Sequence, residues 1–305
     1  MRISPLLLPL ALLAACGGDA GPPPVREFDG AAALASVVTQ VGFGPRIPGT
    51  AGHAAMAAWL DSLVRTRSDS VVIQKWWHHP SSGGDSVELT NIIARLNPAA
   101  TSRVLYLAHW DTRPRSDGPK STDSLAPVPG ANDGGSGVAV LLGVLDALRK
   151  QPPTIGVDIA FVDGEDFGSF DPPQSDVLLG AKYYAQHPVT SDRPLFAVLW
   201  DMVGDKDLRI PREPGSEIAA PDVVDLVWRV AGQLGYGHLF VDASYSGPIT
   251  DDHTPLIQAG FRAIDIIDID YDAWHTRDDT PDKLSAASLE AVGNVAVAVI
   301  RKAVK

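Results

Sequence analysis

Six apolar runs recur along the chain: Val71–Trp77, Leu89–Leu96, Val104–His109, Val157–Val162, Ala197–Met202 and Ala263–Ile269. Several are almost unbroken in Val, Ile, Leu and Trp, the pattern of strands covered on both faces. Between them the period changes. Gly137–Leu148 puts Val138, Leu141, Leu142, Leu145 and Leu148 on one helical face. Asp222–Leu234 and Ser285–Val304 repeat that spacing, and Ala51–Leu63 is an Ala-rich stretch carrying Trp59 and Leu60. Strands alternating with helices predict an α/β protein: a three-layer α/β/α sandwich around a central mixed, mostly parallel sheet. No internal repeat or second Gly/Ser/Pro linker divides the pattern, so one domain of about 280 residues is the simplest organisation.

The places where the apolar runs stop carry the chemistry. Val104–Ala108 ends in His109-Trp110-Asp111, Ile159–Val162 in Asp163-Gly164-Glu165-Asp166, and Val198–Trp200 in Asp201. The helix from Gly137 begins just after Asn132-Asp133, and an Asp-rich segment leads into Trp274-His275. In open α/β sheets, ligands bind beyond the carboxyl ends of the strands. Five elements therefore bring His109, Asp133, Asp166, Asp201 and His275 to one rim. Two imidazoles and three carboxylates suit zinc. Each has an ordinary alternative: Asp133 as a helix cap, His275 as a surface loop residue, Asp201 as a turn opener. Charged residues that all follow buried strands are harder to explain one by one. Asp111 lies on the same side of an extended chain as His109 and is placed to accept from its second ring N–H. The chain contains no HExxH, G-x-S-x-G, P-loop or GxGxxG pattern. Gly134-Gly135-Ser136-Gly137 lacks the Lys of a phosphate loop, and Asp133 beside it would repel phosphate.

Composition narrows the classes. Of 305 residues, 45% are hydrophobic and 20% charged, an ordinary globular balance. With 25 Lys and Arg against 37 Asp and Glu, the net charge is −12, so nucleic acid is not an expected partner. The single cysteine, Cys16, excludes an intramolecular disulfide and a Cys-cluster zinc site. Residues 1–15 read as a secretory signal, with Arg2 ahead of an apolar stretch too short to span a membrane. Leu13-Ala14-Ala15-Cys16 resembles the bacterial lipobox, which implies lipid attachment at Cys16. Residues 16–27 then form a tether, and 28–305 the catalytic domain. The expected location is the cell envelope, at the outer membrane or periplasmic face, with the membrane reached through Cys16 and the protein otherwise a monomer.

The ordered motifs resemble the M28 zinc peptidase clan: His109-Trp110-Asp111, Gly130–Gly137, Asp163–Asp166, Asp201 and His275. Within the clan the chain resembles the glutaminyl cyclase branch, through Phe43–Thr50, Asp251-Asp252-His253-Thr254-Pro255 and Trp274-His275-Thr276 followed by Asp278-Asp279. The resemblance implies that Asp133, Asp166 and His275 hold a catalytic zinc beside Glu165 as acid/base. It implies that Asp201 and Asp251 form a hydrogen-bonded carboxylate pair, that Trp274, Thr250 and Phe170 line the substrate pocket, and that the Asp133–Gly134 peptide is cis. In two-metal peptidases of the clan, His109 and Asp201 hold a second zinc bridged by Asp133. Both sets are present; one zinc is the expectation, and two stays open. Asp166 stands where the family usually carries Glu, one methylene longer, and the second pocket Trp of the animal enzymes is absent, with Phe167 and Phe170 nearby.

The implied activity is conversion of the N-terminal Gln of a peptide or protein to pyroglutamate with loss of ammonia. Glu165 would need a pKa near neutrality, raised by Asp163, Asp166, Asp201 and Asp251 and lowered by zinc. The alternative is a di-zinc aminopeptidase, with Glu165 activating water. Trp76-Trp77-His78-His79 is expected to pack at a strand end, Arg46 to pair with an acid or anchor the N-terminal turn, and His253 to serve the pocket or the core. Asp265 and Asp268 need partners.

Overall fold

The computed structural model describes residues 26–303. The signal, Cys16 and most of the tether lie outside them. Eight helices are assigned there: α1 (Gly30–Gly42), α2 (Ala51–Arg67), α3 (Gly135–Lys150), α4 (Leu179–Gln186), α5 (Pro214–Ala219), α6 (Pro221–Leu234), α7 (His253–Gln258) and α8 (Ala286–Lys302). The strands are β1 (Ser70–His78), β2 (Val87–Leu96), β3 (Arg103–His109), β4 (Gly156–Val162), β5 (Ala197–Asp201), β6 (Ile210–Arg212), β7 (Phe240–Ser244) and β8 (Ala263–Ile267).

Six strands form the central sheet in the order β1-β2-β4-β3-β5-β8. β1 and β2 are antiparallel to each other and β2 is antiparallel to β4, while β4, β3, β5 and β8 run parallel. Strands β3, β4, β5 and β8 are buried along their whole length, as their unbroken apolar sequences require. Alternate side chains feed two cores. Val104, Tyr106, Ala108, Val198, Trp200, Ile264 and Ile266 pack with α1, α2, α3, α6 and α8. Leu105, Leu107, Ala197, Leu199 and Ala263 pack with α4 and α7 on the other face. The expected three-layer sandwich and mostly parallel sheet are present.

That alternation positions the site. His109 follows Leu105 and Leu107, and Asp201 follows Leu199, so both point past the C-terminal edge on the α4/α7 side. The second small sheet, β6 with β7, and helices α1, α4, α5 and α7 were not expected from the sequence. α1 is Ala-rich, capped by the Asp29 carboxylate accepting from Ala32 N–H.

One buried ion pair ties the parallel strands. Arg103 Nε and Nη2 donate to the two oxygens of Asp158 at 2.7 and 2.7 Å, and Arg95 Nε adds a bond of 3.0 Å. Arg46 pairs with no acid directly. It is wholly buried and donates to the carbonyls of Trp110, Pro129 and Gly130, at 3.0, 2.9 and 2.6 Å, fastening the N-terminal segment to the loops that carry the site. Burial lowers its pKa to about 10. Trp76 stacks on Tyr183 at 4.2 Å and His78 bonds Asp176 at 2.8 Å, a packing role, while Trp77 is 69% exposed.

Candidate metal centre and active site

His109, Asp133, Asp166, Asp201 and His275 converge at the edge of the sheet, as their places at strand ends require. Two overlapping triads have donor atoms within 4.8 Å of one another, and every member is buried: His109, Asp133 and Asp201, and Asp133, Asp166 and His275. His109 Nε2 lies 3.1 Å from both Asp133 Oδ1 and Asp201 Oδ1. His275 Nε2 lies 3.4 Å from Asp133 Oδ2 and 3.3 Å from Asp166 Oδ1. Asp133 therefore stands between the two histidines, facing each with a different oxygen. Buried Asp133 Oδ2 and Asp166 Oδ2 have no hydrogen-bond partner among the described residues. Unpaired buried carboxylate oxygens opposite imidazole nitrogens are a donor set that a divalent cation satisfies.

Asp133 is not a helix cap. The cap position of α3 is Gly134, at φ +80, and no side chain bonds there. The left-handed turn frees Asp133 to face the histidines, and a Cβ at 134 would meet the Asp111 carbonyl at 2.5 Å. The Asp133–Gly134 peptide is trans, against expectation; the cis bond among the described residues is Pro172–Pro173. The turn is instead held by Asp279, whose carboxylate accepts from Asn132 and Asp133 N–H at 2.8 and 3.1 Å.

Asp111 differs in detail from its expected role. Its Oδ1 lies 3.5 Å from His109 Nδ1, but its hydrogen bonds come from the backbone N–H of Glu165 and Asp166, at 3.0 and 3.1 Å. It shapes the loop that presents the acid/base candidate and a ligand. Asp163 does not reach the site. It turns the other way, bonding His53 Nε2 at 2.9 Å and Thr90 N–H at 2.7 Å. Gly164, at φ +71, turns the chain after Asp163, and Glu165 and Asp166 face the rim without it. Asp252, unremarked in the sequence as a site residue, takes the place expected for Asp163 in the field around Glu165.

Asp201 and Asp251 do not bond each other directly. Asp201 Oδ1 is engaged by His109 and by Met202 N–H at 2.9 Å, and Asp251 Oδ1 accepts from Asp252 N–H at 2.5 Å. Among the described residues Asp251 Oδ2 has no hydrogen-bond partner. Behind them lie Asp265, with neither oxygen hydrogen-bonded, and His253, within 3.4 Å of Glu213 and 3.7 Å of Asp265. His253 thus belongs to a buried acidic layer. Asp268 accepts from Arg209 N–H at 2.8 Å.

The electrostatics follow from crowding in a dry setting. Burial, then Asp166 and Asp251, push the Glu165 carboxyl well above its usual range. Burial and Asp201 do the same to Asp251. Burial alone would lower His275, but Asp166 and Asp117 outweigh it and raise it to about 9. Burial would raise Asp166, yet His275 and Arg113 hold it far below. A cation among these groups would bring down both the raised carboxyls and the raised imidazole.

Beside the triads lies a cavity of about 320 Å³. Trp274, Thr250 and Phe170, the three expected pocket residues, line it together with Glu165, Asp201 and Asp251. Asp133 and His275 reach it as well, and Gln174, Met202, Ile249, Ile267 and Ile269, which were not foreseen, complete it. Phe167 packs edge-on against His78 instead, 6.3 Å between ring centres. The Trp274 ring leans on the His275 imidazole at 4.3 Å, so the cavity wall and a ligand candidate support each other.

A mostly parallel α/β sandwich with acids and histidines gathered at its strand ends defines the class of zinc-exopeptidase-like proteins. The profile of peptidase family M28 matches residues 91–300, and the chain belongs to that family. Solved structures agree. A glutaminyl cyclase of Porphyromonas gingivalis superposes with a TM-score of 0.86 at 36% identity, covering 92% of this chain and 100% of that one. A leucine aminopeptidase precursor of Bacteroides thetaiotaomicron gives 0.86 at 35%, covering 92% and 99%. The glutaminyl-peptide cyclotransferase of Bos taurus is 24% identical over 284 residues, 82% of this chain and 76% of that protein.

Proposed function

We propose that the protein is a zinc-dependent glutaminyl-peptide cyclotransferase, closing the N-terminal Gln of a peptide to pyroglutamate and releasing ammonia. The observation that carries this is the cavity: a small chamber walled by Trp274, Phe170 and Ile269, with Glu165, Asp201 and Asp251 on one side of it. It is at the small end of the range for ligand pockets and offers carboxyl groups where an amine and an amide must exchange a proton. The likeness to cyclases of bacteria and animals supports the same reading.

Asp133, Asp166 and His275 would hold the zinc. Bound there, it supplies Lewis acidity toward the amide oxygen. The remaining work falls to the chain. Trp274 and Phe170 fold the Gln side chain back toward its own amine, since the reaction is intramolecular and conformation is its main requirement. Glu165, raised by its buried setting, takes a proton from the attacking amine and returns one to the leaving nitrogen. Asp251, whose carboxyl burial and Asp201 also push up, lines the same cavity within reach of the substrate amide. The apolar walls keep water from competing with the amine.

The His109, Asp133 and Asp201 triad favours one second reading, a two-metal aminopeptidase. The two are separated by incubating the exported chain, supplied with zinc, with Gln-initiated and Leu-initiated versions of one peptide and following both by mass spectrometry. Chelator-sensitive loss of ammonia from the Gln peptide alone, abolished in Glu165→Gln, supports the cyclase. Release of free Leu without cyclisation would replace it with the aminopeptidase. The signal-like start of the sequence and the lipobox-like Leu13–Cys16 support a site of action at the cell envelope, where exported peptides present their N-termini.

A further inference from the structure

Two charged residues behind the metal centre have no role in the reading above. Arg113 is buried, and its Nη1 donates to Asp166 Oδ1 at 2.9 Å. Its Nε and Nη2 grip both oxygens of Asp117 at 2.6 and 2.7 Å. Asp117 Oδ1 lies 3.3 Å from His275 Nδ1, the ring nitrogen turned away from Asp133 and Asp166. The circuit closes where His275 Nε2 approaches Asp166 Oδ1 at 3.3 Å. The backbone reinforces it. Gly118 N–H donates to the His275 carbonyl at 2.9 Å, and a Cβ at 118 would meet the Trp274 carbonyl at 2.2 Å. Arg113 also lies over the ring of Phe170, 5.6 Å from its centre.

We propose that Arg113 and Asp117 form a clasp that positions Asp166 and His275 for metal binding. The inference rests on the metal-dependent reading given above. Arg113 engages one Asp166 oxygen, Oδ1, and leaves Oδ2 without a partner. The fork of Arg113 is anchored on Asp117, which leaves Nη1 to fix the short Asp166 side chain, one methylene shorter than a Glu would be. Asp117 Oδ1, 3.3 Å from His275 Nδ1, favours the tautomer protonated there, whose Nε2 lone pair faces Asp133 and Asp166. His275 itself sits at φ +53, a strained backbone that needs such support. Arg113 and Asp117 are positioning residues; neither lines the cavity described above.

The test compares the whole chain with Arg113→Lys, Arg113→Met and Asp117→Asn. Zinc affinity is measured by competition with a chromophoric chelator, and the ligand field by the visible spectrum of the cobalt(II)-loaded proteins. Asp117→Asn and Arg113→Lys should each weaken zinc binding by about 10- to 100-fold and shift the cobalt bands. Arg113→Lys should retain more affinity than Arg113→Met, because it keeps the charge and loses only the fork. If Arg113→Met fails to fold, Asp117→Asn, at a half-exposed carboxylate, still decides the matter. A wild type that binds zinc, beside variants that match it within about twofold and show an unchanged spectrum, would overturn the clasp and leave the proposed activity standing. A wild type that takes up no zinc would overturn both.

Discussion

Asp111 offers a direct check on how the loop carrying Glu165 and Asp166 is held. It is wholly buried, and its two oxygens accept the N–H groups of those residues at 3.0 and 3.1 Å. Asparagine has the same shape but keeps one acceptor and turns an NH2 toward the other N–H. The variant Asp111→Asn thus loses one hydrogen bond to a charged acceptor, about 1.5–3 kcal/mol, and leaves a buried donor unsatisfied at about 1–3 kcal/mol. Allowing for relaxation of the loop, the expected loss of stability is roughly 2–5 kcal/mol. Urea unfolding of both proteins in metal-free buffer gives the difference from the midpoints and the slope. Because the loop also carries the acid/base candidate and a ligand, turnover should fall about 100-fold for a displacement near 1 Å. A stability change under about 0.5 kcal/mol, with turnover unaltered, would refute the idea that these two bonds hold the loop.

Three further outcomes follow from the geometry. Asp158→Ala should cost about 3–5 kcal/mol in urea unfolding, because it strands the guanidinium of Arg103 between buried strands. The Glu213 carboxyl accepts from Gly215 and Ile249 N–H and from Ser216, and with His253 beside it these bonds hold its pKa down at about 2 despite burial. A depressed carboxylate stabilises the fold above its unfolded value of 4.5 and loses that contribution as pH falls toward 2, so the melting-temperature gap between wild type and Glu213→Gln should shrink across that window and be absent near its lower end. A gap that stays constant with pH would count against the carboxylate as the cause. Trp274→Ala, tested by steady-state kinetics on a Gln-initiated peptide, should lower kcat/KM by at least about tenfold, since it removes both a cavity wall and the ring that leans on His275.

The sheet was legible because its strands are apolar on both faces and too regular to be anything else; β3 and β4 were placed to within one residue. Most metal-ligand candidates were legible for the same reason: His109, Asp166 and Asp201 stand at or just beyond the ends of β3, β4 and β5, while Asp133 precedes α3 and His275 follows β8 at a distance. What the sequence concealed was of another kind. β6 is three residues with a proline in the middle, and α7 contains Pro255, so neither shows a period. Arg113 and Asp117 look like ordinary solvated charges until the loop folds back on His275. The exchange of Asp163 for Asp252 around Glu165 depends on which way a turn faces, and the hold on the Asp133 turn depends on Asp279, 146 positions further on. Such details are set by contacts between distant segments, which local pattern does not carry.

The span of chain that must meet to complete the site has a consequence for how the protein is made. Arg46 waits for carbonyls 64 to 84 positions later, and Asp133 is steadied by Asp279, 146 positions further on. His275 is supplied by the last part of the fold, so a chain emerging in order has its acids in hand long before its second imidazole. Contacts of such separation form late, after the entropy of closing long loops has been met. Metal capture would then act as a final latch: the cation gains its full donor set only from a finished chain, and by binding the native state alone it would draw late intermediates forward. Zinc supply would in that case govern the yield of folded enzyme as well as its turnover.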